Sequence, residues 1–318
     1  YFENYLRKVA VGERFDNLSG ALQYFLEDIV IKWIKETIKH TGITEIITSG
    51  GVFMNVKLNK LIQELPEVTK VDFMPSCGDE SLPFGAAYKV WKDSNPNKYF
   101  IPTEHIYLGT HYSNKDIEWF IEENNINKKY QVEYCQDIEK KIAELLANYK
   151  IVARFKGKTE FGARSLGNRA ILGNPEDMQT FYAVNDMIKV RDFWMPFAPS
   201  ILDTHTDNYL INYDSKKNIP YFMISAFDST DEFHLKCRAA MHQGDKTARP
   251  QVVTKEFNED FYNLISEFEK LTGIGSLLNT SLNVHGYPLV ATPEQALFTL
   301  ENSGLEYLAI ENWLISKI

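Results

Sequence analysis

One stretch of the chain, residues 152–172, concentrates groups that could bind or activate a substrate. It carries five cations and a single acid, Glu160, although the whole protein has a formal charge of −9. Its cations are Arg154, Lys156, Lys158, Arg164 and Arg169, and the glycines among them are Gly157, Gly162 and Gly167. Guanidinium and ammonium groups on a backbone that can approach a ligand closely are suited to phosphate. The stretch therefore predicts a site for a phosphorylated small molecule.

Further cations lie downstream in short motifs that could reach the same site. Lys189 and Arg191 alternate as they would in a strand, so both could project from one face toward the Arg164 loop. The alternative for this pair is exposure on the surface, which is common for lysine and arginine. Arg249 lies in a short polar run, residues 245–251, which as an isolated motif predicts no particular role.

Small polar residues after a predicted strand form a third group. An apolar segment at 274–278 predicts the strand, and Asn279, Thr280 and Ser281 follow it. Their amide and hydroxyl groups can hydrogen-bond to phosphate or sugar oxygens. His285, a little further on, could be a base, but we favour an exposed loop histidine.

Two motifs in the first third of the chain offer groups of a different kind. Gly50, Gly51 and Asn55 lie between a predicted strand and a predicted helix, where backbone amides could face a phosphate or ribose. The alternative is a tight turn in an α/β sheet. Asp79 and Glu80 precede another predicted helix. Asp79 could bind a hard divalent metal through oxygen, or it could interact only with the helix dipole.

The predicted elements that would position these residues belong to the α/β class. Apolar residues at helical spacing predict a helix at 18–41, and Gly42 is a suitable stop. Two strand–turn–helix units follow, with strands at 45–48 and 70–74 and helices at 52–64 and 83–92. Such units predict a sheet whose ligands bind at the carboxyl ends of the strands.

A polar stretch with two prolines, residues 93–105, predicts a linker. It divides the chain into a first domain at 1–95, a linker at 96–105 and a second domain at 106–318. The second domain has predicted helices at 114–125, 136–149, 256–272 and 293–303, strands at 130–134, 150–155, 274–278 and 306–315, and a polar loop at 203–220.

Composition limits the classes of protein to which the chain can belong. A hydrophobic fraction of 44% is ample for packed cores, and the acidic balance argues against a general nucleic-acid binder. Three widely spaced cysteines form neither a zinc pattern nor a disulfide framework, which fits a reducing cytoplasm. No apolar run approaches the ~20 residues needed to cross a membrane. Because the chain starts at Tyr1 and soon enters the helix at 18–41, we expect a fragment of a longer protein.

Taken in order, the motifs closely resemble those of the NodU/CmcH-type O-carbamoyltransferases. The resemblance covers nearly the whole chain, with strings at residues 49–57, 78–81, 160–169, 189–200, 247–251 and 277–283. Two of these strings read Glu-Phe-Gly-Ala-Arg-Ser-Leu-Gly-Asn-Arg at 160–169 and Leu-Leu-Asn-Thr-Ser-Leu-Asn at 277–283.

The resemblance implies an enzyme of two parts. Residues 1–95 are similar to the C-terminal portion of an ASKHA-type (actin-like ATPase) domain, and residues 106–318 are similar to a YrdC-like α/β domain. In the family the YrdC-like part forms carbamoyl adenylate from carbamoyl phosphate and ATP. The ASKHA-type part transfers the carbamoyl group to a hydroxyl of a small-molecule acceptor, near a divalent metal that is often iron. No membrane partner is expected, nucleic acid is not favoured, and a homodimer is left open.

The resemblance also implies roles for the candidate residues. Arg164, Lys189 and Arg249 would be catalytic by neutralising phosphate charge. The residues that would bind ATP or the adenylate are Lys156, Arg169, Arg191, Asn279, Thr280, Ser281, Gly50, Gly51 and Asn55. Asp79 would be the last ligand of an Fe(II) site whose histidines lie N-terminal to this sequence, so the transfer site would be incomplete here.

One departure from the family pattern bears on phosphate binding, because His285 replaces a usual arginine. A histidine is less reliably charged near neutral pH. Two alternative functions stay open. One is a tRNA-modifying enzyme of the threonylcarbamoyl type, which the acidic charge disfavours, and the other is a non-catalytic nucleotide-binding module.

Overall fold

The computed structural model describes residues 2–100, 103, 105–189, 192 and 194–318, and for Phe2 and Met187 it describes the backbone only. Arg191, predicted to bind a cofactor, lies outside the described residues. We refer to residues 2–94 as the N-terminal region and to residues 106–318 as the C-terminal region. None of the helices in these described residues is both long and apolar enough to span a lipid bilayer.

The N-terminal region is built from helices packed on a short parallel pair of strands. Its elements are α1 (Phe2–Ala10), α2 (Phe15–Thr41), β1 (Glu45–Thr48), α3 (Val56–Glu64), β2 (Lys70–Phe73) and α4 (Leu82–Ser94). Strands β1 and β2 run parallel, with Glu45 opposite Lys70. Helix α2 ends at Gly42, whose left-handed backbone (φ 70°) closes the last turn, and Asn55 caps α3 by accepting from the Leu58 N–H.

The C-terminal region contains most of the strands. Its elements are α5 (Asn114–Glu123), β3 (Tyr130–Tyr134), α6 (Ile138–Ala147), β4 (Val152–Phe155), β5 (Arg169–Gly173), α7 (Met178–Val184), β6 (Ala198–Leu202), α8 (Thr206–Tyr209), β7 (Phe227–Asp228), α9 (Asp231–Lys236), β8 (Thr247–Ala248), β9 (Gln251–Val253), α10 (Glu259–Thr272), β10 (Ser276–Ser281), α11 (Pro293–Glu301), β11 (Tyr307–Ile310) and β12 (Trp313–Lys317). Within the described residues, eight of these strands form one mixed sheet in the order β3-β12-β11-β4-β5-β10-β6-β9. The α/β fold class predicted from the sequence is confirmed.

Both faces of this sheet are covered, which explains the unbroken burial of its central strands. Val152 belongs to a core cluster with residues of α6 and α10, whereas the adjacent Ala153 belongs to a second cluster with residues of α5, α7 and α11. Successive strand residues point to opposite faces. A strand between two helical layers is therefore apolar at nearly every position.

Several predicted boundaries are wrong, each for a local reason. The predicted helix at 52–64 is interrupted at Asn55, which ends a short 3₁₀ turn and caps α3. The predicted strand at 274–278 is β10, which continues through Ser281 because its polar side chains are paired inside the sheet. The predicted strand at 306–315 is two antiparallel strands, β11 and β12, and the predicted polar loop at 203–220 contains the short helix α8.

Helix α3 fastens the N-terminal region to the C-terminal region. The buried Asn59 amide donates to the carbonyl of Ile224 at 2.6 Å, and the Gln63 amide donates to the carbonyl of Ala226 at 3.1 Å. The Ala226 N–H in turn donates to the carbonyl of Val56 at 3.2 Å. These contacts hold α3 against the C-terminal region along its length.

Candidate functional site

A small cavity in the C-terminal region brings together five of the predicted site residues. Its walls are Ala163, Arg164, Ser165, Pro196, Phe197, Ala198, Met223, Arg249, Asn279, Thr280 and Ser281. We call it the cationic cavity, because Arg164 and Arg249 are its charged walls. Its volume of about 60 Å³ is far below the roughly 300–1,000 Å³ of pockets that enclose whole drug-sized ligands. It therefore suits a small reacting group.

The loop that carries Arg164, residues 160–169, is shaped by a buried carboxylate, and we call it the cationic loop. One oxygen of Glu160, Oε1, accepts hydrogen bonds from the backbone N–H groups of Leu166 (2.8 Å), Asn168 (3.0 Å) and Arg169 (3.1 Å). Charge-assisted hydrogen bonds of this kind are stronger than those between neutral groups. Glu160 thus fixes the curve of the loop that brings Arg164 to the cavity wall.

The cationic loop also touches the N-terminal region. At Gly162, φ is +105°, and an added Cβ would lie 2.9 Å from the Cβ of Ser76. Both the backbone conformation and the close approach therefore require glycine. Beside it the rings of Phe161 and Phe84 pack with their centroids 4.7 Å apart. The loop thus contacts the segment that carries Asp79.

Strand β10 contributes three polar side chains to the cavity. Asn279 and Thr280 are buried, and Ser281 is half-buried. The Asn279 amide nitrogen donates to the carbonyl of Ser165 at 3.2 Å and to the Ser200 hydroxyl at 3.0 Å. Its Oδ1 is buried and has no hydrogen-bond partner among the described residues. Because buried polar atoms are normally paired, this oxygen is available to accept a hydrogen bond from a donor that enters the cavity.

Lys189 is fixed to the edge of the cavity and is not one of its walls. Its Nζ donates to the carbonyl of Ser281 at 2.5 Å, the Ser281 hydroxyl at 3.2 Å and the carbonyl of Asn283 at 3.0 Å, and also to the Asn283 side-chain oxygen. Lys189 ends a π-helical turn, Asn185–Lys189. The predicted strand-like alternation is therefore wrong for Lys189, and its predicted catalytic role stays a prediction.

Arg169 and Lys156 also lie outside the cavity walls. The buried Arg169 guanidinium donates to the carbonyls of Thr110, Lys156, Gly157 and Asn168 at 3.0–3.1 Å. Its Cζ is 3.6 Å from the ring centroid of Phe155. Burial lowers the pKa of Arg169 to about 10, opposed by the charge of Glu160. The Lys156 ammonium is 2.7 Å from Glu139 Oε1. That either cation binds ATP stays a prediction.

A larger space, which we call the interface groove, adjoins the cationic cavity. Its walls are Val56, Lys57, Pro196, Phe197, Ala226, His242, Asp245, Thr247 and Arg249, and its volume is about 260 Å³. Pro196, Phe197 and Arg249 line both spaces. Val56 and Lys57 begin α3, so the groove lies between the two regions of the chain.

A hydrogen-bonded pair of titratable side chains lines this groove. Nδ1 of His242 is 2.7 Å from Oδ1 of Asp245, and the other carboxylate oxygen is 2.9 Å from the Lys57 ammonium. The Thr247 hydroxyl donates to Asp245 Oδ1 at 2.7 Å. Burial raises the pKa of Asp245, but the hydrogen bonds from Lys57 and Thr247 together hold it well below its ordinary value. Asp245 is therefore an anion at neutral pH.

The predicted adenylate-binding residues of the N-terminal region are not walls of the groove, although they come just before two of its walls in the sequence. Gly50 has a φ of 108°, Gly51 begins the 3₁₀ turn Gly51–Met54, and Asn55 caps α3. The neighbouring Val56 does line the groove. The binding roles of Gly50, Gly51 and Asn55 stay predictions.

Asp79, the predicted metal ligand, is exposed at the start of a short 3₁₀ turn, Asp79–Ser81. The carboxylate of its neighbour Glu80 is hydrogen-bonded to the Ser76 hydroxyl. In the part of the chain that the structure describes, no three His, Cys, Asp or Glu side chains converge in a way that could hold a metal. The described residues do not by themselves fit a metal centre, and we assign no step to a metal.

Three residues of this site were not among the candidates predicted from the sequence. Glu160 was noted only as the lone acid of its stretch, yet it shapes the cationic loop. Asn283 binds Lys189. Its position two residues after Ser281 could have marked it as part of the same polar group. His242 could have been found from the His-x-x-Asp spacing that it forms with Asp245.

Comparison with known proteins agrees with these motifs. A family model described as carbamoyltransferase N-terminus matches residues 1–88, and one described as carbamoyltransferase C-terminus matches residues 143–317. The uncharacterized protein MJ1058 of Methanocaldococcus jannaschii is 32% identical over 99% of this chain and 51% of its own length. Nodulation protein NolNO of Sinorhizobium fredii is 28% identical over 96% of this chain and 44% of its own length. The chain spans about half the length of the curated relatives it matches.

Similarity to solved structures is lower. Full-length HypF, in its phosphate- and nucleotide-bound form, aligns with a TM-score of 0.41 and 19% identity over 57% of this chain and 25% of that chain. The C-terminal family model, by contrast, covers more than half of the chain and includes every wall of the cationic cavity. The family predicted from the motifs is confirmed: the chain belongs to the carbamoyltransferase family.

Proposed function

We propose that this chain carries the part of an O-carbamoyltransferase that forms carbamoyl adenylate from carbamoyl phosphate and ATP, for transfer to a hydroxyl of a small-molecule acceptor. The observation that carries the proposal is the meeting of Arg164, Arg249 and the unpartnered Asn279 Oδ1 in one cavity. Arginine guanidinium groups bind phosphate, and a buried amide oxygen can accept a hydrogen bond from the carbamoyl amino group. Each half of carbamoyl phosphate thus has a matching group.

Charge supports the same assignment. Carbamoyl phosphate and ATP together bring several negative charges to one place in a protein whose own formal charge is −9. Arg164 and Arg249 would neutralise part of that charge and stabilise the charge that develops at phosphorus in the transition state. The Thr280 and Ser281 hydroxyls would donate to phosphate oxygens, and Lys189 would hold Ser281 in place through the contacts that it already makes.

The sizes of the two spaces suggest how the ligands would divide between them. The cationic cavity, at about 60 Å³, has room for the reacting groups, whereas the interface groove, at about 260 Å³, has room for the larger part of the nucleotide. Arg249 lines both spaces and would contact the phosphates at their junction. The groove also reaches Val56, next to Asn55, so the predicted adenylate-binding motif of the N-terminal region would lie close to a product bound there.

The direct test is release of pyrophosphate from ATP that depends on carbamoyl phosphate. Wild-type chain should release pyrophosphate only when both substrates are present, and Arg164→Ala should lose the release while remaining folded. Binding of both ligands without release would instead support a non-catalytic nucleotide-binding module. Carbamoylated tRNA product, measured in the same assay with added tRNA, would support the tRNA-modifying alternative.

A further inference from the structure

The proposed reaction consumes a water molecule, and the structure offers a base to activate it. Carbamoyl adenylate keeps the α-phosphate of ATP, and the rest of ATP leaves as pyrophosphate. The phosphoryl group of carbamoyl phosphate must therefore leave separately as inorganic phosphate, and water supplies its new oxygen. The sum is carbamoyl phosphate, ATP and water giving carbamoyl adenylate, pyrophosphate and phosphate. This inference rests on the proposed function.

The water step has a simple chemical form. The water oxygen bonds to the phosphorus of carbamoyl phosphate, and the bond from phosphorus to the bridging oxygen breaks. Carbamate leaves with that oxygen and its electron pair, and it needs no proton to depart. The water must lose a proton as it attacks, which requires a general base within hydrogen-bond reach. The carbamate oxygen then attacks the α-phosphorus of ATP and displaces pyrophosphate.

His242 has the tautomer that such a base needs. Nδ1 lies 2.7 Å from the ionised Asp245 carboxylate and 3.2 Å from the Asp245 backbone nitrogen, so it either donates to the first or accepts from the second. The shorter, charge-assisted contact assigns the proton to Nδ1, because an unprotonated nitrogen at 2.7 Å would repel the carboxylate. Nε2 of the neutral ring is then the atom that can accept a proton. Nε2 has no hydrogen-bond partner among the described residues, and the side chain is 41% exposed at the groove.

The backbone brings the two side chains together. The His242 N–H donates to the carbonyl of Thr247, and the Lys246 N–H donates to the carbonyl of His242, which closes a tight loop over residues 242–247. Inside it the Thr247 hydroxyl and the Lys57 ammonium hold the Asp245 carboxylate. An acid oriented in this way fixes the ring and stabilises the imidazolium that forms when His242 takes a proton.

Among the described residues that line the cationic cavity and the interface groove, His242 is of the residue type that most often serves as a general base. The other titratable walls are Lys57, Arg164, Asp245 and Arg249. The three cations are charged donors, and both oxygens of Asp245 are already hydrogen-bonded. Arg249 and His242 both line the groove, so phosphate bound to Arg249 would face the same space as the base.

We infer that His242, oriented by Asp245, is the catalytic base that activates water to open carbamoyl phosphate into carbamate and phosphate. General bases typically contribute about 10²–10⁴-fold to a rate. His242→Asn should therefore lower phosphate release from carbamoyl phosphate, measured above spontaneous hydrolysis, by at least about 100-fold. Asp245→Asn should lower it as well, because the amide can donate to Nδ1 and favour the wrong tautomer.

A second assay bypasses the water step. Ammonium carbamate supplies carbamate directly, so in His242→Asn pyrophosphate release with ATP and carbamate should fall far less than phosphate release does, by no more than the change of one groove wall explains. A merely structural role for His242 would lower both assays together. The matched control is His234→Asn, since His234 also contacts an aspartate, Asp231, and a hydroxyl, Ser229, but lines neither space. This control should match wild type in both assays.

The outcomes separate this inference from the proposed function. If the wild-type chain released no pyrophosphate from ATP, whether carbamoyl phosphate or carbamate was supplied, both the proposed function and this inference would be overturned. His242→Asn that keeps wild-type phosphate release would overturn the inference and leave the proposed function standing. A loss of carbamate-driven pyrophosphate release equal to the loss of phosphate release would also overturn it. The result we expect is a loss of phosphate release much larger than the loss of carbamate-driven pyrophosphate release, with an unchanged melting temperature.

Discussion

Two neighbouring regions of the C-terminal sheet use arginine in opposite ways. In the paired strands β4 and β5, Arg154 and Arg169 are buried, and their guanidinium groups donate to backbone carbonyls. In the loops beside them, Arg164 and Arg249 line a cavity. The difference lies in the backbone, because a strand fixes its side chains against the sheet whereas a loop can present them to a ligand. A cation-rich sequence therefore combines arginines that are buried against the sheet with arginines that line a cavity.

The largest expected effect tests the strand side of this comparison. Arg169→Met removes a buried charge, its hydrogen bonds to the carbonyls of four residues and its electrostatic attraction to the buried Glu160. Breaking a buried charged network in this way typically costs about 3–5 kcal/mol. We expect the free energy of unfolding, measured in urea, to fall by that amount. Unchanged stability with lost ATP affinity would instead favour the nucleotide-binding role predicted from the sequence.

The next largest effect tests the loop side. Arg249→Ala should slow pyrophosphate release by about 10²–10³-fold, as loss of one donor to a transition-state anion does, which corresponds to about 2.7–4 kcal/mol. Its free energy of unfolding should change by less than in Arg169→Met, because Arg249 is half-buried in a loop between β8 and β9. Steady-state rates and urea unfolding on the same preparation make the comparison. If Arg249→Ala lowered the free energy of unfolding as much as Arg169→Met does, the contrast between strand arginines that stabilise the fold and loop arginines that line the cavity would be wrong.

The sequence predicted the family, the α/β class and most elements, because hydrophobic periodicity and turn residues are local signals. It also predicted Arg164, Arg249, Asn279, Thr280 and Ser281, which the structure gathers in one cavity. It did not distinguish the buried Arg169 from the cavity-lining Arg164, because the two arginines lie only five positions apart in one motif and nothing local sets them apart. Their difference depends on strand pairing, which joins Phe155 to Arg169 across the sheet.

Long-range contacts account for the other differences. Lys189 binds Ser281 and Asn283 more than ninety positions away in the chain, and no local pattern predicts such contacts. The same holds for Lys57 of α3, whose partner Asp245 lies in the other region. Predicted residues that lie outside the described structure, such as Arg191, remain predictions.

A smaller effect tests how the cationic loop keeps its arginine at the cavity. Glu160→Ala removes the acceptor of three backbone N–H groups in a buried loop. An unsatisfied buried polar group costs about 1–3 kcal/mol, so unfolding should become easier by roughly that amount, and pyrophosphate release should slow because Arg164 is no longer held. Glu160→Gln keeps an oxygen at the same place and should retain more of both. Equal loss in the two variants would show that the charge, and not the shape of the loop, matters most.

The smallest expected effect lies at the boundary between the two regions. The Lys57 and Asp245 side chains are 54% and 30% exposed, and ion pairs with this exposure contribute below about 1 kcal/mol. The pKa of Asp245 is lowered in the folded state, so the stabilisation is present above the ordinary aspartate pKa of about 3.9 and is lost as the pH falls toward the lower folded value. The difference in melting temperature between wild type and Lys57→Ala should therefore be small and constant from neutral pH down to about pH 5, and it should shrink below about pH 4. Added salt should reduce it further. Solvent screening leaves an exposed ion pair little energy to lose. A loss of stability in Lys57→Ala as large as that in Arg169→Met would therefore contradict this estimate and would mean that the contact between the two regions stabilises the fold as much as the buried strands do.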